Sequence, residues 1–419
     1  MDNDKRFVTG LDVGTENVRA VIATVNNSGE IAIVGYNEGK SAGMRKGVPA
    51  NLAGPASAID KMLGDAERMG GYDVRSAYVS INGSTVISTH TEGMIAVGTV
   101  EHEIDGQDLD RVTDVAVSGR IPANRTVLDV VPLEYALDGQ GGIKDPIGMS
   151  GARLEMRANV ISALTPNVDN LKKATLTADV ESKHLVPSAV ASAKAVLTER
   201  QKENGVAVID MGATTTSIAI YEEGDLQYVG VVPAGSNNIT NDLAIVLAID
   251  PDLAEEIKLR FVTGNFNSDK NPVIKIKQAK DGKERNFERK EVEEVVRARL
   301  EDIFTEVRKK LKTAKYDQRL PEGIILTGGG AKMRDIELFV QQILEASVKI
   351  GVPQGAGGVA DSIAKPEFAV AVGLALLSAE DAHYTVPQGK KSNKSTKKSK
   401  SAKPGSSPLG FIKKIFSKF

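Results

Sequence analysis

Two short stretches of this chain hold residues whose types and spacing could do chemistry, and they read alike. GLDVGTENVRA sets Asp12, Gly14, Thr15 and Glu16 behind an apolar run from Phe7; VAVIDMGATTTS sets Asp210, Gly212, Ala213, Thr214 and Thr215 behind another from Val206. In each, Asp-x-Gly with small or hydroxyl residues separates two β-rich runs, the pattern of a hairpin with a tight turn. Glycine lets backbone N–H groups approach phosphate oxygens because no Cβ intervenes, and Thr hydroxyls add donors. The Asp ahead of the glycine can orient waters on Mg²⁺, which usually keeps part of its water shell, so Asp12 and Asp210 are candidate metal partners through water. Two such turns facing one another would clamp a polyphosphate. A third turn, Gly328-Gly329-Gly330, follows the run GIILT and leads toward a helical pattern, so it is expected to offer helix N-terminal N–H groups to a nucleotide's phosphate or sugar. One Asp-x-Gly-Thr turn describes any tight hairpin; three glycine turns in order, each after an apolar strand, form a joint signal for nucleotide. Neither a GxxxxGK[ST] loop nor a GxGxxG opening a βαβ unit is present.

The elements that must position these turns repeat as well. Recurrence of the hairpin about 200 residues later suggests a two-fold internal duplication of an α/β fold. Helical patterns span Leu52–Arg68, Val168–Asp179, Ala189–Gln201 and Glu288–Ala314. Short strands and Pro/Gly turns from about Thr85 to Ile161 interrupt the first half and read as an inserted small α/β subdomain. The expected organisation is therefore residues 1–84 and 163–200 for the first half, 85–162 for the insertion, and 201–384 for the second half, with a smaller subdomain at about 245–318. Residues 385–407 read as a linker and 408–419 as an amphipathic helix.

Composition narrows the chemistry. At 419 residues the chain is long for one domain, and its 41% hydrophobic and 26% charged content excludes collagen-like, wholly disordered and disulfide-scaffold classes. Without Cys there is no thiolate nucleophile and no Cys-bound zinc or iron–sulfur cluster, and the four His have no metal-ligand spacing. MDNDKRFV does not read as a secretory signal, and the longest apolar run, from Phe368, falls far short of a membrane span, so a cytoplasmic protein is expected. Of the 53 Lys and Arg, ten are Lys between Thr385 and Phe419, where no acidic residue occurs; the remainder holds 43 basic against 55 acidic residues, a net −12. An acidic body argues against nucleic-acid binding, and the basic tail points to an anionic surface.

The tail has two parts. TVPQGKKSNKSTKKSKSAKPGSSP has almost no apolar residue and cannot bury enough surface to fold. LGFIKKIFSKF after it is apolar again. At ~100° per residue, Phe411, Ile412, Ile415, Phe416 and Phe419 fall within an arc of about 140°, with Lys413, Lys414, Ser417 and Lys418 opposite. Such a helix, with Leu409 ahead of it, should lie in the plane of an anionic membrane, its binding strengthened when many copies are joined in a polymer.

The paired Asp-x-Gly hairpins and the TGGG turn resemble the actin–Hsp70–sugar kinase superfamily. Within it the whole chain is similar to the FtsA family of actin-like bacterial cell-division proteins, through GMRKGV (Gly43–Val48), VPLEYA (Val131–Ala136), DPIGMSGARLE (Asp145–Glu155), VPAGSNNITNDLA (Val232–Ala244), ILTGGGA (Ile325–Ala331), AVGLAL (Ala371–Leu376) and the closing FIKKIFSKF. The resemblance implies a duplicated actin-like, ribonuclease H-like fold whose insertion is the subdomain called 1C. It implies ATP and Mg²⁺ as cofactors, with Asp12, Gly14, Thr15, Glu16, Asp210, Gly212, Ala213, Thr214, Thr215 and Gly235 on the phosphate side. Gly328 to Gly330, with Glu255 and Lys258 of AEEIK, would hold the adenosine side; without the family, the last two read as an i,i+3 ion pair on a solvated face. The implied function is polymerisation on the cytoplasmic face of the cell membrane at the division site, tethering of the FtsZ ring, and recruitment of later division proteins through 1C. The FtsZ C-terminal peptide would dock on subdomain 2B, where Lys290, Arg297 and Arg299 are candidate contacts.

One departure bears on turnover. Relatives commonly read D-[LI]-G-G-G-T-x-D at the second turn, whereas this chain has DMGATTTS, with Ala213 and Thr214 for two glycines and Ser217 for the last Asp. Losing a carboxylate there is expected to remove a water-orienting group, unless position 217 points away from the nucleotide and the change is silent; no catalytic residue is assigned and at most a weak ATPase is expected. Two rivals stay open: a kinase or polyphosphate-cleaving enzyme of the superfamily, and the related pilus-assembly actin-like protein, which shares the insertion but normally lacks the tail anchor.

Overall fold

All six residues of VAVIDM and the last six of RFVTGLDV are buried. Strands apolar on both faces must lie inside a sheet covered on both sides, and that requirement organises each half. The computed structural model describes residues 6–384 apart from 99, 267–270, 278–281, 283 and 317–318. The linker expected at 385–407 and the helix expected at 408–419 lie outside the described residues.

The chain opens with an antiparallel meander, β1 (Arg6–Val13), β2 (Asn17–Val25) and β3 (Ile31–Lys40). A small ladder, β4 (Met44–Arg45) with β5 (Val48–Pro49), precedes α1 (Ala53–Gly70) and β6 (Ser76–Ile81). The insertion then builds its own four-stranded sheet from β7 (Ile87–Ala96), α2 (Gly106–Val117), β8 (Arg125–Leu137), β9 (Gln140–Ile143) and β10 (Arg153–Leu164), with α2 packed on it around a separate small core. After α3 (Thr165–Thr177), β11 (Glu181–Pro187) and α4 (Ser188–Val196), a short α5 (Glu199–Asn204) leads into the second half.

There the meander recurs as β12 (Val206–Met211), β13 (Thr216–Glu222) and β14 (Asp225–Val232). It is followed by α6 (Ser236–Val246), α7 (Pro251–Phe261), the hairpin β15 (Val273–Lys277) and β16 (Glu284–Glu288), and the long α8 (Arg289–Thr313). β17 (Ile324–Thr327), α9 (Ile336–Leu344) and β18 (Val348–Ile350) complete this half; β19 (Gly357–Gly358) and α10 (Ala369–Tyr384) return to the first. Strand order is β11-β6-β1-β2-β3-β19 in one sheet and β14-β13-β12-β17-β18 in the other. Apart from β19, these are one topology used twice: a three-stranded meander whose first strand also pairs in parallel with a later strand.

Local chemistry explains the main boundaries. α8 buries Val292, Val296, Leu300, Ile303, Val307 and Leu311, a stripe at helical spacing. The single helix expected over Ala189–Gln201 is two: Leu197 is extended, and Thr198 starts a new helix by accepting from Gln201 N–H while the Gln201 side chain bonds back to the Thr198 N–H. Side chains of the insertion reach the second half along β14: Asn159 donates to Leu226 O at 2.8 Å, Val229 N–H donates to Ser88 Oγ at 2.6 Å, and Lys144 Nζ lies 2.6 Å from Asp225 Oδ2.

Candidate functional site

The two hairpin turns face one another across a cleft of about 480 Å³ between the halves. Asp12, Gly14, Thr15 and Glu16 line one wall; Asp210, Gly212, Ala213 and Thr215 line the other; Glu255, Lys258 and Gly328 to Gly330 close the far side. The turns share a construction: Gly14 N–H donates to Asn17 O at 3.1 Å and Gly212 N–H to Thr215 O at 2.8 Å.

Both carboxylates are buried, yet they are supported unequally. Asp12 accepts from Ser80 Oγ at 2.8 Å and lies 3.7 Å from Arg19 Nη1. No hydrogen bond to the Asp210 carboxylate is formed among the described residues. Burial pushes the Asp210 carboxyl up to about 7, Asp12 pushing the same way and Arg19 opposing. Burial also raises Asp12, against Arg19 and Ser80. Ionising both without a further cation is unfavourable, so the pair suits a hydrated divalent cation. No group of three potential ligands exists among the described residues, so such a cation would keep much of its water shell and take oxygens from a bound anion.

The three glycines are not equivalent. Gly328 sits at φ 86°, and a Cβ there would run into Asp210 Oδ1 and the Met211 carbonyl at 2.7 Å. A Cβ on Gly330 would lie 2.5 Å from Met211 Cγ, whereas one on Gly329 meets nothing within 4 Å. The expected helix N-terminus is not here. Gly329–Lys332 form one 3₁₀ turn, and α9 begins only at Ile336, after Asp335 at φ 58° reverses the chain.

Two residues expected on the phosphate side do not line the cleft. Thr214 donates its hydroxyl to Thr15 Oγ1 at 2.9 Å, joining the two turns. Gly235 is extended and backs the second turn, letting Ser236 N–H donate to Gly212 O (2.9 Å) and Asn237 N–H to Ala213 O (2.7 Å). Ser217 does not reach the cleft either. It is buried opposite Asp210 and donates to Asn82 Oδ1 at 3.1 Å, so its hydroxyl is engaged by the first half.

Glu255 and Lys258 do form an i,i+3 ion pair, at 2.6 Å, but not on a solvated face: Lys258 is 7% exposed and donates to Thr240 Oγ1 at 2.8 Å. Asp250 caps α7 by accepting from Leu253 N–H and so aims this pair at the cleft. The three candidate basic residues of α8 do not share one face. Lys290 is exposed beside Glu294, and Arg297 lies over the Phe266 ring at 4.6 Å. Arg299, nine residues and so about half a turn round from Lys290, is bonded to Asp242 of α6.

Several cleft residues escaped the sequence reading. Arg19 lines it opposite Asp12, Lys40 pairs with Glu16, and Asn237 donates to Glu16 Oε2 at 2.7 Å from the other half. Asn82, at the end of β6, is a further one. Each depends on strand register or closure of the halves; only Arg19, seven residues from Asp12 across a tight hairpin, could have been read from the local pattern.

With this geometry in view, comparison with known proteins is specific. A family model described as "Cell division protein FtsA" matches residues 207–373, and one described as "SHS2 domain inserted in FTSA" matches residues 83–162. Relatives named "Cell division protein FtsA" include one from Pseudomonas aeruginosa, 33% identical over 88% of each chain, and one from Borreliella burgdorferi, 33% identical over 91% of this chain and 92% of its own. Another, from Escherichia coli K12, is 30% identical over 88% and 90%. Among solved structures, a PilM–PilN type IV pilus biogenesis complex superposes with TM-score 0.66 at 19% identity, covering 89% of this chain and 98% of that one. MreB5 of Spiroplasma citri bound to ADP superposes with TM-score 0.52 at 14% identity, covering 90% and 99%. The fold is the expected duplicated actin-like one with a small α/β insertion.

Proposed function

We propose that this chain, which belongs to the FtsA family of cell-division proteins, binds Mg·ATP in the cleft, polymerises on the cytoplasmic face of the cell membrane, and tethers the FtsZ ring there. The observation that carries the nucleotide part is the pairing of Asp12 and Asp210, two carboxylates buried in facing turns with one counter-cation, Arg19, on the Asp12 side. Asp12 and Asp210 would accept hydrogen bonds from waters on Mg²⁺, which supplies charge neutralisation to the phosphates. Thr15 and Thr215 offer hydroxyls beside the turn backbones, and Gly329 leaves open space for the adenosine side. Lys258 and Glu255 would meet ribose or base. Slow turnover now rests on Ala213 and Thr214 in place of glycines, since Ser217 faces Asn82.

The membrane part rests on the amphipathic pattern of Phe411, Ile412, Ile415, Phe416 and Phe419 against Lys413, Lys414 and Lys418. No helix among the described residues is long and apolar enough to cross a membrane. For the FtsZ peptide, Lys290 and Arg297 have the exposure to meet an acidic segment, and the insertion would be the surface for later division proteins. The test is sedimentation and negative-stain imaging of the full chain with Mg·ATP on anionic liposomes, with and without FtsZ peptide. Filaments on the vesicles that bind the peptide support the reading; a dispersed protein that transfers phosphate to an added metabolite would replace it with the kinase alternative.

A further inference from the structure

We propose that Asn82, braced by the turn at Lys46–Gly47, is the positioning residue that fastens the second turn to the first half and thereby sets how long a nucleotide stays in the cleft. Asn82 stands where the chain leaves β6 for the insertion, and its one amide makes three bonds. Oδ1 accepts from Gly83 N–H at 2.7 Å and from Ser217 Oγ at 3.1 Å, while Nδ2 donates to Thr215 Oγ1 at 3.2 Å. Thr215 lines the cleft; Ser217 sits on β13 opposite Asp210. A side chain of the first half therefore grips the second turn on both sides of Thr216.

The chemistry selects an amide of this length. Both donor and acceptor capacity are used, and a carboxylate would add a third negative charge beside Asp12 and Asp210. The grip is also held from behind. Gly47 lies at φ 80°, and a Cβ there would come 2.8 Å from Gly83 N and 3.1 Å from Asn82 Cβ. Gly47 N–H donates at 2.9 Å to Thr15 Oγ1, the atom that receives the Thr214 hydroxyl. Bonds across the cleft from Thr15 and from Asn82 thus share one brace, which gives the GMRKGV stretch a task the nucleotide contacts leave unassigned. A nucleotide held between the two turns would leave as the halves part, and these bonds would break as they do. The residence-time part rests on the reading of the cleft given above; the fastening of the second turn does not.

The experiment uses the full chain and two readouts. Without nucleotide, Asn82→Ala should speed hydrogen exchange over residues 212–218 about tenfold, the scale of two lost hydrogen bonds, with the insertion and α8 unchanged. Dissociation of a fluorescent ATP analogue should speed up by a similar factor, and adding Ser217→Ala to Asn82→Ala should change little more. Ser217→Ala alone, a small buried change that keeps the fold, should give a smaller rise, and Gly47→Ala should reproduce Asn82→Ala with the amide still present. Unchanged exchange at 212–218, or faster exchange spread evenly over both halves, overturns the proposal. Faster local exchange in a protein whose parent binds no ATP analogue leaves the fastening established and instead fails the nucleotide reading.

Discussion

Arg19 stands directly opposite Asp12 across the first hairpin, its Nη1 3.7 Å from Oδ2, whereas the residue opposite Asp210 in the second hairpin is Ser217. The duplicated turns therefore differ in charge: one carboxylate has a cation built in beside it, and the other faces the cleft with none. Arg19 is itself held by Glu38 at 2.6 Å and lies over the Phe368 ring, which keeps its guanidinium on the Asp12 side.

The asymmetry sets a pH dependence. Asp210 is pushed up to about 7 in the folded chain against 3.8 for a free side chain, so between these values the native state binds the extra proton. Stability therefore falls as pH rises across that window. The nucleotide-free protein should lose melting temperature from about pH 4.5 to 7.5, and Asp210→Asn should flatten the decline and raise the melting temperature at pH 7.5. The same variant should lose the shift that Mg·ATP gives the parent. A parent profile that rises with pH, unaltered by Asp210→Asn, would count against the buried pair.

Gly328 and Gly329 should separate in a thermal-shift experiment. Gly328→Ala meets both an unfavourable φ and the Asp210 carboxylate, so it should destabilise the fold by about 1–3 kcal/mol and abolish the Mg·ATP shift. Gly329→Ala should leave the unliganded melting temperature within about a degree, because nothing adjoins its Cβ. Gly329→Val should weaken ATP through space taken from the cleft, with the fold intact.

The α8 arginines should divide in the same way. Arg297→Glu and Lys290→Glu should weaken an acidic FtsZ peptide about tenfold by fluorescence anisotropy, with little change in stability. Arg299→Ala should instead lower stability by about 1–2 kcal/mol, since it leaves Asp242 on α6 without its partner. Equal loss of peptide binding in all three would make the α8 contact an indirect effect of stability.

Removal of residues 408–419, or Phe416→Glu, should release the protein from anionic liposomes with the melting temperature unchanged, because a carboxylate on the apolar face opposes insertion. Co-sedimentation of the Glu variant equal to the parent would rule out this segment as the anchor.

Features written in consecutive residues were the legible ones. Asp12-x-Gly14 and Asp210-x-Gly212 announce two tight hairpins, and their repetition gives the doubled sheet order. The break before α5 was legible too, in Thr198-x-x-Gln201, but helix propensity across Ala189–Gln201 outweighed the capping pair. The closed state was not legible. Asn82 meets Thr215, and Glu16 meets Asn237, over separations of 133 and 221 residues, and no local pattern specifies which side chains meet when two halves close. The contact of Ser217 was not legible for a related reason: strand alternation assigns it a face, but only the register with Asp210 and the approach of Asn82 decide what that face touches.

β14 carries a last consequence. It is the outermost strand of the second sheet, and an outermost strand with open backbone groups templates pairing with other chains. Here Asn159, His90 and Ser88 of the insertion occupy Leu226 O, Gln227 O and Val229 N–H, capping that margin with side chains without extending the ladder. The insertion thus covers part of that border with side chains while leaving it unfused to a further strand. A minimal version of this protein cut down to its two duplicated halves would expose that border and be prone to clump.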